Sequence, residues 1–291
     1  MGPSMVYPAG FAHFEKQRHR VLTEMARRLA WLAHRVVPGK RKAAALLVAN
    51  ERTRLGLPRG LCSNVIELVE NGVDLQVFGE SVKPAARGCV PTFVFLGRLI
   101  RWKCVDILLH ALARAAKEVP MRLVVVGDGP ERAGLQALQE RLGLGAETVE
   151  FTGYLPQEKC ADILSGATAL VLPSVLECGG AVVLEAMAKG LPVIAVRWGG
   201  PADYLDESVG VLVEPTNSAQ MAADFAHAMV QLATDSGLCA QLGQAARRRV
   251  EEKYDWDRKI DKVLGIYQSV AHVGAGHANA NAPDECAARS E

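Results

Sequence analysis

No uninterrupted apolar stretch in the 291-residue sequence approaches the roughly 18 residues that a membrane-spanning helix needs. The N-terminus lacks the basic-then-apolar pattern with a small-residue cleavage site that marks a secretory signal. Neither a membrane span nor export is indicated, and a cytoplasmic protein is expected. The seven cysteines (Cys62, Cys89, Cys104, Cys160, Cys178, Cys239 and Cys286) are scattered, odd in number and never form Cys-x-x-Cys. A disulfide framework and a thiolate zinc site are therefore both unsupported. The seven histidines make no His-x-x-x-His, and His110 and His227 fall in helical patterns, where a packed histidine is the ordinary reading. No metal and no cofactor is expected. Charge of one sign is not in excess either: 33 basic and 32 acidic residues leave a formal net charge of +1. That gives no reason to expect a nucleic-acid partner.

A hydrophobic content of 49% and a charged content of 22% are enough for a buried core in one or two domains. From residue 92 to residue 213, short β-branched runs alternate with amphipathic segments. The runs are Thr92 to Leu96, Arg122 to Val126, Thr148 to Phe151, Ala169 to Leu172, Pro192 to Val196 and Val209 to Val213. Between them, Lys103 to Glu118, Glu131 to Leu142, Pro156 to Ser165 and Ala181 to Lys189 are long enough for crossover helices. This rhythm predicts a doubly wound parallel sheet, whose ligands bind beyond the carboxyl ends of the strands. The segments Ser218 to Thr234 and Leu238 to Lys253 read as further helices, and Tyr254-Asp255-Trp256-Asp257 precedes a last one to about Val270.

The densest chemical signal is Glu177-Cys178-Gly179-Gly180-Ala181-Val182-Val183-Leu184-Glu185, between a buried run and a helical one. A strand, a glycine turn and a helix place free N–H groups and about half a positive charge where an anion can sit. Two carboxylates flanking such a cradle suit a sugar nucleotide, because a carboxylate accepts two hydroxyl hydrogen bonds at once. Each acid alone is also an ordinary loop or first-turn residue; their joint spacing around the glycines sets them apart.

Acid, seven residues, acid, then Ala-Met-Ala-x-Gly-x-Pro-Val resembles the donor-site motif of family 4 of the retaining, GT-B fold glycosyltransferases. Upstream, Gly97-Arg98-Leu99 with Lys103, then Val126-Gly127-Asp128-Gly129-Pro130 and Phe151-Thr152-Gly153-Tyr154-Leu155, resemble that family's preceding loops, and Gly199 and Gly200 follow in order. One such motif is weak, but five in succession across about residues 46 to 256 carry the resemblance. Two positions depart from it: Cys104 stands where the family usually has Gly, and Gly179-Gly180 where it has Phe-Gly.

The resemblance implies a glycosyltransferase that moves a sugar from a nucleotide-sugar donor to an acceptor hydroxyl, with retention and without metal. The acceptor, a glycan or a lipid-linked species, is not identified. In that reading Arg98, Lys103 and Glu177 are the catalytic residues. Gly97, Tyr154, Gly179, Gly180, Ala181, Val182 and Glu185 bind the donor, with Glu177 on sugar hydroxyls, Glu185 on the ribose and Tyr154 near the base. Arg98 and Lys103 offset the charge of the departing diphosphate together with the helix end. Two other readings stand beside it: a non-catalytic nucleotide-sugar-binding remnant, and another GT-B enzyme such as a sugar-nucleotide epimerase. A hydride-transfer reading of Gly127-Asp128-Gly129 is poorer, since Arg132 occupies the third glycine position. Asp255 and Asp257 form Asp-x-Asp, but at a helix start, where capping is the better account.

Residues 1–89 read as an incomplete acceptor-side α/β remnant and linker. Within it, Ala44 to Val48, Asn50-Glu51-Arg52-Thr53 and Val65 to Asp74 are taken as strand, helix start and strand. Residues 90–256 are taken as the donor domain, 257–271 as a return helix and 272–291 as a disordered tail. A partner chain could complete the first domain. Phe14, Val21, Leu22, Met25, Leu29, Leu32 and Val36 make an apolar stripe on a helix rich in Lys and Arg. The first expectation is that the stripe faces the core. The second is peripheral contact of residues 11–42 with an anionic membrane face.

Overall fold

The computed structural model describes residues 7–14, 17–36, 42–79 and 90–279. The tail beyond residue 279 and the basic residues Lys16, Lys40 and Arg41 lie outside the described residues. A 3-10 segment, Ala9–Phe14, precedes α1 (Gln17–Val36). Next come β1 (Leu46–Val48), α2 (Glu51–Leu55), β2 (Val65–Glu67) and α3 (Leu75–Phe78). The larger unit follows as β3 (Thr92–Leu96), α4 (Val105–Ala115), β4 (Arg122–Val126), α5 (Arg132–Arg141), β5 (Val149–Gly153), α6 (Gln157–Ser165) and β6 (Ala169–Leu172). It continues with α7 (Ala181–Ala188), β7 (Val193–Val196), α8 (Pro201–Tyr204), β8 (Gly210–Val213), α9 (Ser218–Thr234), α10 (Ser236–Lys253) and α11 (Trp256–Asn279).

The large sheet has the order β5-β4-β3-β6-β7-β8, and every pairing is parallel. Parallel strands demand crossovers, and the helices divide accordingly: α4 packs with α5 and α9, while α7 packs with α10 and α3. Covered on both sides, the central strands β6 and β7 bury all their residues, which is why they read as continuous apolar runs. Phe93, Phe95, Leu108, Leu170 and Phe225 have no exposed surface, and each contributes roughly 1.5–3 kcal/mol by leaving water. In this order the winding reverses between β3 and β6, the switch point of a doubly wound sheet.

Residues 42–79 form a partial second α/β unit. Strands β1 and β2 pair in parallel, and Asn50 caps α2 by accepting from the Thr53 N–H at 2.9 Å. The chain then runs along the large unit: the Val73 N–H donates to the Tyr254 carbonyl and the Trp256 N–H to the Val73 carbonyl. Three local expectations change. Helix α1 exposes its stripe, with Leu22, Met25, Leu29, Leu32 and Val36 between 53% and 72% accessible. These five therefore do not face the core; Phe14, which the expected stripe included, lies before α1 in the 3-10 segment and does pack against it. His110 and His227 are exposed rather than packed, lying on the solvent faces of α4 and α9. Helix α11 runs nine residues past Val270, to Asn279, so residues 272–279 are helical where a disordered tail was expected; Gly274 and Gly276 do not end it, and no proline stands in it.

Candidate functional site at the sheet switch point

The loops that leave β3 and β6 meet at the switch point. After β3 the chain turns at Gly97, whose N–H donates to the Val126 carbonyl at 3.0 Å, and Gly127 in turn donates to Gly153 at 2.8 Å. The turns beyond β3, β4 and β5 are thus tied together by main-chain bonds. A 3-10 turn, Arg101–Lys103, follows and ends at Cys104, the single non-glycine residue with positive φ (52°) among those described. This is the position where Gly is the usual residue in the resembling family, and the backbone shows why: the left-handed region costs a side-chain-bearing residue roughly 1–2 kcal/mol. Cys104 is fully buried, and burial pushes its thiol well above the ordinary range.

That turn aims Lys103 across the switch point. Its Nζ forms an ion pair with the Glu177 carboxylate, and both side chains are largely buried, 14% and 13% accessible. The sequence reading placed Lys103 against a diphosphate and Glu177 against sugar hydroxyls. In the structure the two satisfy each other, so that neither charge is stranded. Arg98, by contrast, is exposed, with no ion-pair partner among the described residues. It is a cation held at the rim and not committed within the fold.

Glu177 leads into α7. Gly180 is the residue before the helix, at φ 67° and ψ 55°, and no side chain caps the helix end. A left-handed residue here suits glycine best, and the N–H groups of Gly180, Ala181 and Val182 have no acceptor among the described residues. The uncapped end lies beside Glu177: a Cβ at Gly180 would come 3.1 Å from Glu177 Cγ. Behind the loop the Gly200 N–H donates to the Glu177 carbonyl at 3.0 Å. Gly199, at φ 66°, is so close that a Cβ would stand 2.0 Å from the same oxygen.

Glu185 sits in the second turn of α7, and burial raises its pKa above the ordinary 4.5. Its charge is felt by Cys160 of α6, so it borders the segment that follows β5. Tyr154, in that segment, is 82% exposed and available as a platform. Gly97, Lys103, Glu177 and Gly180 are thus joined in an arc along the strand carboxyl ends, with Glu185 a turn further into α7 toward Cys160 and with Arg98 and Tyr154 in the loops that follow β3 and β5. The arc and these neighbours combine cations, an open helix N-terminus and two acids, which can receive phosphates and hydroxyls together.

Other residues of the arc carried no signal in the sequence. Ser174, after β6, is 1% exposed, and its Oγ has no partner among the described residues. Arg52 donates to the Gly199 carbonyl at 3.0 Å and pairs with Asp203 at 2.5 Å, while Asn71 donates to the Tyr204 hydroxyl at 3.0 Å. These partners lie more than 130 residues away in sequence, so only pattern-free tertiary contact reveals them. The Asp-x-Asp pair is accounted for locally: Asp255 Oδ1 faces the Asp257 N–H at 3.4 Å at the start of α11. Among the described residues no three metal-binding side chains cluster, and no helix is long and apolar enough to cross a membrane.

A doubly wound parallel sheet with an uncapped helix end at its switch point is the Rossmann-like architecture of GT-B proteins. The profile of "Glycosyl transferases group 1" matches residues 80–249, and the chain belongs to that family. It is 34% identical over 246 residues to a D-inositol 3-phosphate glycosyltransferase of Streptomyces bingchenggensis, which covers 77% of this chain and 53% of that protein. It is 32% identical over 230 residues to the corresponding protein of Saccharomonospora viridis, covering 74% and 52%. The chain therefore spans about half the length of these curated relatives. Among solved structures, sucrose-phosphate synthase from Thermosynechococcus elongatus superposes with a TM-score of 0.66 at 26% identity, covering 80% of this chain and 60% of that one. Anabaena Alr3699/HepE, in complex with UDP and glucose, gives 0.65 at 21%, covering 82% and 67%. At that identity the second likeness concerns the fold.

Proposed function

We propose that this chain supplies the nucleotide-sugar site of a glycosyltransferase that moves a sugar to an acceptor hydroxyl, with retention and without metal. The observation that carries the reading is the arc of Lys103, Glu177 and the open end of α7 at the switch point, with Glu185 a turn further into that helix. The diphosphate would lie against the Gly180, Ala181 and Val182 N–H groups, beside Gly97 and Gly179, with Arg98 forking onto its oxygens. Lys103, already paired with Glu177, would turn one of its three donors to the leaving phosphate while the acid takes sugar hydroxyls. Two cations and half a helix charge offset the roughly two negative charges of the departing nucleotide. Retention and metal independence rest on the family resemblance, and a role in polysaccharide or glycolipid synthesis follows from the same source.

The test is calorimetric binding of a panel of nucleotide sugars and of UDP, with diphosphate release recorded with and without candidate acceptors. UDP is chosen because the HepE structure holds it. Arg98→Ala should weaken UDP binding by about 1.5–3 kcal/mol, the worth of a charge-assisted hydrogen bond; unchanged affinity would remove Arg98 from the site. Binding without turnover would favour a non-catalytic role, and a changed sugar without transfer would favour an epimerase.

One observation supports a second contact. The accessible stripe of α1 lies on a segment, residues 15–42, that carries nine Lys or Arg against two Glu. A basic helix with an apolar face suits a peripheral site on an anionic membrane. Sedimentation with phosphatidylserine vesicles should show binding that weakens with salt. Absence of such binding would leave the stripe to a protein surface, such as a partner chain completing residues 1–89.

A further inference from the structure

The loop Glu177–Gly180 is held from outside the large sheet. Gly179 is buried and its backbone is not left-handed, so an alanine would fit its main chain. What stands in the way is one side chain. The three nearest atoms that a Cβ would meet all belong to the Asn71 amide: Nδ2 at 1.9 Å, Cγ at 3.0 Å and Oδ1 at 3.3 Å. In the resembling family this position carries Phe; here the space beside it is filled by Asn71. Asn71 is fixed on both sides, its Nδ2 donating to Tyr204 Oη at 3.0 Å and its carbonyl accepting from Lys259 Nζ of α11.

The opposite side of the loop rests on the Gly199–Gly200 turn. A Cβ at Gly200 would come 2.4 Å from the Gly179 carbonyl and 2.6 Å from that of Cys178. That turn is itself gripped by α2: Arg52 donates to the Gly199 carbonyl and pairs with Asp203, to which Asn50 Nδ2 also donates at 3.1 Å. The loop is thus clasped between Asn71 and a turn held by Arg52. Both clasping residues come from the 42–79 unit.

We propose that Asn71 and Arg52 are positioning residues that set the shape of the Glu177–Gly180 loop, so that docking of residues 42–79 and anion binding at the α7 N-terminus are energetically linked. The proposal rests on the donor-site reading above for its ligand, though not for its contacts. Linkage is reciprocal: a ligand that needs the clasped loop tightens the docking, and loosening the docking weakens the ligand. Gly179 and Asn71 form the sensitive joint, since a methyl group at one must displace the amide at the other from its bond to Tyr204.

The experiment compares the parent with Gly179→Ala, Asn71→Ala, the double variant Gly179→Ala/Asn71→Ala, and Arg52→Ala. UDP binding is read by calorimetry, and amide exchange by mass spectrometry on the ligand-free proteins. Gly179→Ala, Asn71→Ala and Arg52→Ala should each weaken UDP by about tenfold, within the usual range of coupling energies. The double variant should recover most of what Gly179→Ala loses, a recovery that general destabilisation cannot produce. Exchange should quicken at residues 177–182 while β3 to β8 keep their protection. Parental affinity in Gly179→Ala, no recovery in the double variant, or unchanged exchange of the loop would overturn the proposal. If the parent itself does not bind UDP, the donor-site reading fails, and the exchange arm alone decides the positioning.

Discussion

Glu185 is the residue where burial and function pull in opposite directions. Its carboxyl is held above the ordinary 4.5 by burial, with no cation as partner among the described residues. In the unfolded chain it ionises near 4.5, whereas in the folded protein it keeps its proton to higher pH. Stability therefore falls as pH rises through that window, and above the folded pKa the penalty is complete. Glu185→Gln removes the penalty and should melt higher than the parent at about pH 8, the gap closing as the pH is lowered toward about 4.5. UDP binding should move the other way, weakening by about 1.5 kcal/mol if the carboxylate receives ribose hydroxyls. Thermal melts across pH with parallel calorimetry read both. A Gln variant that is less stable at every pH would mean that the acid is held by attractive contacts. Such a trade is expected at a binding site, where a group costly to the empty fold is retained for its ligand.

At the scale of elements, much was legible and the reason is burial. The strands of the large sheet fell within a residue or two of their expected bounds because β6 and β7 are covered on both faces, which turns their sequence into apolar runs. The run Val65 to Asp74, by contrast, is strand only over Val65–Glu67, beyond which the chain leaves β1 and bonds through Val73 to Tyr254 and Trp256. Helix α9 matched at both ends, with Asn217 accepting from the Gln220 N–H at 3.0 Å as a cap of the expected kind. Motif spacing drew attention to Lys103, Glu177 and Glu185, which lie in the segments that follow β3 and β6, strands that the topology sets side by side. That the stripe of α1 stands exposed was not legible, because an apolar stripe states that something is wanted and not what is present. Cys104 shows a departure of sequence becoming a feature of the backbone. It keeps the left-handed turn between the 3-10 segment and α4 at φ 52°. Cys104→Gly relieves roughly 1–2 kcal/mol of this strain while giving up a small buried thiol. It should stay within about 1 kcal/mol of the parent in urea unfolding. Cys104→Val, β-branched and far less tolerant of positive φ, should lose at least about 2 kcal/mol. Equal midpoints for the two variants would show that the turn relaxes without cost.

For the whole molecule, the question is what keeps residues 42–67 folded. Two short parallel strands and a five-residue helix bury only Val48, Asn50 and Leu61, and a two-stranded sheet is marginal at best on its own. Their order must come from docking: Asn50 and Arg52 hold the segment to Gly199 and Asp203, and α11 holds the residues that follow, 69–73. Lys259, 7% exposed, donates to the carbonyls of both Val69 and Asn71 and lies over the Trp256 ring at 4.7 Å. Arg247 donates to the Gly79 carbonyl at 2.5 Å further along. None of these partners is near in sequence, so no periodicity announced them. Lys259→Met keeps the volume and removes the donors, leaving two carbonyls unpaired at about 1–3 kcal/mol for a stranded buried group. The chemical-denaturation midpoint should fall, and amide exchange should quicken first through residues 46–48 and 65–73, well before β3 to β8. If exchange rises evenly across both units, the smaller one is held by some other contact and Lys259 only adds to global stability. If it rises locally, the smaller unit is ordered by the larger one, and anything that binds at the rim between them acts on both.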